Sequence, residues 1–125
     1  MSADGKVGTI GWRDLTVADA EEVAEFYKEV VGWKLESTSM GDYEDYCVSP
    51  PGGGGPVAGI CHARGSNANL PPQWLVYITV SDVDAGARKC VELGGRIIDG
   101  PRPMGDGRIC VIRDPAGAVA ALYQE

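Results

Sequence analysis

Apolar and polar residues alternate along "GWRDLTV", residues 11–17, so that Leu15 and Val17 share one face of a strand and Trp12, Asp14 and Thr16 the other. The same alternation returns in "LVYITV", where Val76, Ile78 and Val80 oppose Leu75, Tyr77 and Thr79. Each strand is predicted to run into a helix. Asp19 and Asp82 put a carboxylate at the helix start, where it can accept from backbone N–H groups that have no partner in the first turn. The first helix spans "AEEVAEFYKEVV", with Val23, Phe26, Tyr27, Val30 and Val31 as its apolar stripe. It stops at Gly32, and the second stops near Gly94 and Gly95.

Short strands follow each helix: "KLEST", "DYCVS" and "VAGICHA", then "RIID", "RICVIR" and "VAALYQE". "PPGGGGP" and "DPAG" supply the turns. The glycine run feeds a strand rather than opening a helix and lacks a following Lys-Ser or Lys-Thr, so it is read as a hairpin linker and not a phosphate loop.

The order is therefore β-α-β-β-β, written twice. Sliding the sequence on itself by 63 positions superposes Thr16 on Thr79, Val17 on Val80, Asp19 on Asp82, Ala24 on Ala87 and Gly32 on Gly95. At the same offset Cys47 falls on Cys110, Gly54 on Gly117 and Ala58 on Ala121. The first module is placed at about residues 7–64, a polar connector at 65–72 and the second module at 73–125, all in a single domain. The fold class expected is α+β.

Composition narrows the classes of function. The chain has 125 residues, 44% of them hydrophobic, enough for one packed core. No stretch reaches the roughly 20 apolar residues of a membrane span. A net charge of −7 with no clustered Lys or Arg argues against nucleic acid. The opening "MSADGKVGTI" lacks the features of a signal peptide, which points to a cytoplasmic protein. Cys47, Cys61, Cys90 and Cys110 are widely spaced with no C-x-x-C, as expected of free thiols serving as small buried hydrophobes.

Two β-α-β-β-β modules of this length, with V-x-D after the first strand, "FY-x-x-V-x-GW" closing the first helix and "DP-x-G" before the last strand, resemble the vicinal oxygen chelate superfamily of glyoxalases, bleomycin-resistance proteins and extradiol dioxygenases. The resemblance implies that the modules form a curved mixed sheet, a cup, with the helices on its outer face, and that the protein is a homodimer. It puts Trp12, Asp14, Thr16, Leu75, Tyr77 and Thr79 inside the cup, together with Ala58, Ile60 and His62 and with Ala121 and Tyr123.

Metal-dependent members of that superfamily carry His, Gln or Glu at four positions, which here fall on Trp12, Ala58, Leu75 and Ala121. None of these side chains can hold a divalent ion. No metal and no other cofactor is therefore expected, and the Lewis-acid chemistry of a metal-dependent glyoxalase or dioxygenase loses its basis. What remains is an aromatic cup with sparse polar groups. Trp12, Tyr46, Trp74, Tyr77 and Tyr123 are the candidate ligand contacts, and Asp14 and His62 a candidate acid/base pair. Arg13, Arg108 and Arg113 are read as rim charges.

Three functions stay open. The first is a metal-independent protein that binds a small aromatic or amphipathic molecule. The second is a metal-free lyase or isomerase using Asp14 and His62. The third is a partner-binding module with a vestigial cup.

Overall fold

The computed structural model describes residues 6–125. Strand β1 is Ile10–Val17, helix α1 Ala20–Val31, and strands β2, β3 and β4 are Lys34–Ser39, Glu44–Ser49 and Ala58–His62. After a 3-10 turn at Gly65–Asn67 come β5, Trp74–Thr79, and α2, Val83–Glu92. Strands β6, β7 and β8 are Arg96–Met104, Gly107–Arg113 and Val119–Gln124. The class is α+β, with two βαβββ modules. Compact units are Arg13–Trp74 and Leu75–Glu125, the latter with residues 6–12. None of the described helices is long and apolar enough to cross a membrane.

Both helices start and stop where the sequence places the signals. Asp19 Oδ1 accepts from the Glu22 N–H at 3.0 Å, and Asp82 Oδ1 accepts from the Ala85 N–H at 3.0 Å. Gly32 ends α1 in the left-handed region at φ 84°, a conformation in which a Cβ would be strained, and its N–H donates to the Lys28 carbonyl.

In the first module the strands pair in the order β2-β3-β4-β1, antiparallel except for β4 against β1. Leu15 pairs with Ile60, Ile60 with Tyr46, and Val48 with Ala58. Directly paired residues point to the same side, so these side chains all face α1 and meet Ala20 and Ala24 in one core cluster.

The buried stripe of α1 differs from the expected one. Ala20 and Ala24 are fully buried, flanked by Val23 and Tyr27, while Phe26 is 57% exposed and Val30 64% exposed. Two alanines let the helix axis lie close to the sheet; larger side chains there would hold it off. Phe26 and Val30 are thereby turned outward, and Phe26 keeps only an edge contact with Tyr27.

The second module repeats the plan as β5-β8-β7-β6. Its helix-side core is Val83, Ala87, Cys110 and Leu122, with Val80, Ile97 and Ile112 against it. Arg108 clamps Asp84 of α2 through two hydrogen bonds of 3.0 Å, so this arginine is part of the helix-to-sheet contact and not a rim charge. Strand β6 runs beyond the expected "RIID" through Pro101 and Pro103 to Met104. It pairs only with β7 and carries register shifts on either side of Asp99; an edge strand with bulges tolerates prolines that a central strand would not.

The offset between the modules is not uniform. Leu15 and Ile78 are equivalent across 63 residues, yet their partners Ile60 and Leu122 are 62 apart. Along the hairpins, Tyr46 pairs with Ile60 where Cys110 pairs with Leu122, so the first hairpin is longer by two residues. The glycine-rich turn takes up that excess, one residue on each side. A one-residue slip reverses the facing of every side chain on a strand. Ala58, Ile60 and His62 consequently lie on the side of Leu15 and Val17, not on the side of Asp14. Cys47 likewise faces away from α1, whereas Cys110 faces α2.

These assignments separate two substitutions sharply. Ile60→Ala, at a site with no exposure, is expected to cost about 2–5 kcal/mol in urea unfolding. Phe26→Ala is expected to stay within about 0.5 kcal/mol, as befits a surface site. Equal losses at the two positions would contradict the orientation of α1.

Candidate functional site

The face of the first module turned away from α1 is built in rows. Asp14 pairs with Gly59, Gly59 with Cys47, and Cys47 with Glu36, one residue from each strand. Thr16 pairs with Cys61 in the next row, and Asp45, two residues before Cys47 on β3, stands on the same side. Carboxylates and thiols thus alternate over a small area. Both thiols are held in their neutral form. The Cys61 thiol is pushed up by burial first, then by the Asp14 and Asp45 carboxylates, and it donates a hydrogen bond to Asp45. Burial, then Glu36 and Asp14, raises Cys47.

In the second module, Leu75, Tyr77, Thr79, Ala121 and Tyr123 share the face away from α2, since Tyr77 pairs with Ala121 and Thr79 with Tyr123. Leu75, Tyr77, Thr79 and Ala121 are buried. The Tyr123 ring covers Gly107: a Cβ there would come 2.6 Å from the Tyr123 hydroxyl, which explains why this strand end carries glycine. Trp12 is half-buried and alternates along β1 with Arg13, whose guanidinium donates to the Val57 carbonyl at 3.0 Å and is likewise no free rim charge.

Two aromatic candidates sit elsewhere. Tyr46 and Trp74 pack against the α1 core. The Trp74 indole N–H donates to the Tyr27 hydroxyl at 3.1 Å, with the Tyr27 and Trp33 ring centroids 5.4 and 5.8 Å away. Buried Trp and Tyr need partners for their polar ends, and here they supply each other. Tyr46 and Trp74 thus stand on the α1 side of the sheet, among core residues, and not on the Asp14 face.

The acid/base pair also separates. Asp14 pairs with Gly59 and His62 with Val17, and Asp14 and Val17 project to opposite sides of β1, so Asp14 and His62 are not brought together. His62 instead meets Asp45. One carboxylate oxygen, Oδ1, accepts from the His62 backbone N–H at 2.8 Å and lies 3.4 Å from Nδ1. Sequence reasoning missed Asp45 because nothing in the local pattern marks it; the contact spans 17 residues and exists only through the β3–β4 register.

The slip also moves one of the four metal-donor positions. On β4 the residue equivalent to Ala121 is Gly59, not Ala58, because Gly59 pairs with Asp14 as Ala121 pairs with Tyr77. A hydrogen atom replaces a methyl group, so Trp12, Gly59, Leu75 and Ala121 still include no oxygen, thiolate or imidazole donor. Among the described residues no three His, Cys, Asp or Glu side chains converge as ligands either. A divalent ion does not fit this donor set.

Residues 9–122 match the family model described as the Glyoxalase/Bleomycin resistance protein/Dioxygenase superfamily. The chain belongs to this superfamily. Among curated relatives of this superfamily member, "Putative glyoxylase CFP32" of Mycobacterium bovis is 36% identical, with 94% of this chain and 46% of the relative covered. "Anthracycline biosynthesis protein DauV" of a Streptomyces species is 32% identical over 91% of this chain and 40% of the relative. The chain thus spans less than half the length of these relatives. Among solved structures, methylmalonyl-CoA epimerase from Mycobacterium tuberculosis superposes with a TM-score of 0.54 at 23% identity, covering 99% of this chain and 92% of the epimerase. A superfamily member from Vibrio splendidus reaches 0.59 at 12% identity, covering 91% and 97%. At such identities the likeness is one of fold.

The buried thiols of this superfamily member give a testable pH dependence. Cys110 is pushed up to about 11, by burial first and then by Cys90, Asp99 and Asp84. Above the ordinary value of 9.0 the unfolded chain releases a proton that the folded protein retains. Stability is therefore intact below pH 9 and falls as pH rises from there toward 11. Thermal unfolding across that window should show the fall, and Cys110→Ala should make it shallower, leaving the part that Cys61 and Cys47 contribute.

Proposed function

We propose that this superfamily member is a metal-independent protein that binds a small aromatic or amphipathic molecule, as a homodimer in the cytoplasm. One observation carries the reading: within each module the positions at which metal-dependent relatives are expected to carry donors hold none, Gly59 in the first and Trp12, Leu75 and Ala121 in the second unit. A site of that kind binds by burial and a few placed polar groups. On the face around Asp14, the carboxylates of Asp14, Glu36 and Asp45 stand beside neutral thiols, an arrangement that favours a ligand bearing a positive charge. In the second module, taken by itself, Tyr77 and Tyr123 share the face away from α2 and are aromatic residues with hydroxyl groups. A relative named for anthracycline biosynthesis agrees with an aromatic ligand.

Elemental analysis of the purified protein, followed by thermal-shift measurements with a panel of aromatic amines before and after EDTA, tests this reading. The expected result is substoichiometric metal and a ligand-dependent rise in Tm that EDTA leaves unchanged and Asp14→Asn reduces. Stoichiometric metal, or a shift abolished by EDTA, would refute metal independence. Shifts produced equally well by aromatic carboxylates would refute the role given to Asp14.

A further inference from the structure

His62 is the chain's one histidine, and it stands at the end of β4 on the α1 side, away from the Asp14 face. Its ring is fixed from two directions. Asp45 Oδ1 lies 3.4 Å from Nδ1, and the Tyr43 ring packs edge-on at 5.2 Å between centroids. Arg64 covers Tyr43, with its guanidinium carbon 4.6 Å from the ring centroid, and pairs with Asp42 at 3.6 Å. The His62 and Asp45 side chains keep 15% and 13% of their surface exposed, so the pair is sheltered yet reachable.

An ionised carboxylate can only accept hydrogen bonds. The tautomer that pairs with Asp45 is the one with the proton on Nδ1, which leaves the lone pair on Nε2. The same carboxylate already accepts the His62 backbone N–H and the Cys61 thiol, so its own orientation is set by these two donors. A carboxylate that fixes the tautomer and then offsets the positive charge of an imidazolium is the arrangement that makes a histidine an effective base or nucleophile.

We propose that His62 and Asp45 form a nucleophilic dyad at the end of β4 that acts on small activated acyl esters, with His62 as the catalytic residue and Asp45, which reaches it from the edge of the Asp14 face, as its positioning residue. The Nε2 lone pair attacks the ester carbonyl, and the bond to the leaving alcohol breaks, with the alkoxide or phenolate departing with its electron pair. The acyl group then sits on Nε2, and the charge on the ring is balanced by Asp45. Water adds to the acyl carbon, and the bond to nitrogen breaks with its electron pair returning to Nε2, giving the carboxylic acid, the neutral imidazole and one proton, which passes to the departed alkoxide or phenolate or to solvent.

Hydrolysis of p-nitrophenyl acetate by the full chain, followed by nitrophenolate absorbance, tests the dyad. The expected rate exceeds that of free imidazole at equal concentration by at least about tenfold, is lost in His62→Gln, and falls in Asp45→Asn. A rate no greater than imidazole, or one retained by His62→Gln, overturns the proposal. Asp45→Asn also removes a backbone acceptor, so ¹⁵N NMR of wild-type His62 provides a check that needs no variant. The proton on Nδ1 supports the dyad; the proton on Nε2 in the neutral ring overturns it. Metal content and amine binding are read separately, so either reading can fail without the other.

Discussion

The pairing of β4 against β1 is the constraint on which the first module depends. With Leu15 opposite Ile60, the strand delivers Ala58 and Ile60 to the core under α1, where Ala20 and Ala24 close over them. Shifted by one residue, the same strand would bury Gly59 and Cys61 and expose its largest apolar side chain, at a cost of several kcal/mol. Hydrophobic burial therefore selects the register. The two additional residues in the glycine-rich hairpin make that register attainable, because they let β3 and β4 meet their partners without distorting the ladder.

The register then decides the chemistry. It puts Asp14, Asp45, Cys47 and Cys61 on one face, with the thiols neutral among carboxylates, and it projects His62 from the opposite side of β4, where its backbone N–H and ring nitrogen meet Asp45 alone of that set. It also replaces one apolar side chain by glycine at a place where metal-dependent relatives by resemblance have a donor. Neither change makes room for a divalent ion. Both follow from packing demands in the core, so the candidate site depends on the β3–β4 pairing as much as on the residues in it.

The helices show a second packing decision. Each begins at an aspartate cap, and α1 ends at a left-handed glycine, all local devices. Which stripe is buried is settled by how closely the helix approaches the sheet. Alanines permit close approach, and the apolar residues Phe26 and Val30 remain outside despite a spacing that reads as a core stripe.

Much was legible in the chain by itself: the doubled βαβββ order, the caps, the face alternation of β1 and β5, and the absence of donors at three of the four expected metal positions. These depend on neighbours within a few residues or on a side chain's own chemistry. The facing of β4, the packing of Tyr46 and Trp74 against the α1 core, the bulged extension of β6 and the meeting of His62 with Asp45 were decided only by tertiary structure. Each depends on which residue of one strand lies opposite which residue of another, and an offset read from the best-matching segment carries no information about a hairpin whose length differs between the two modules.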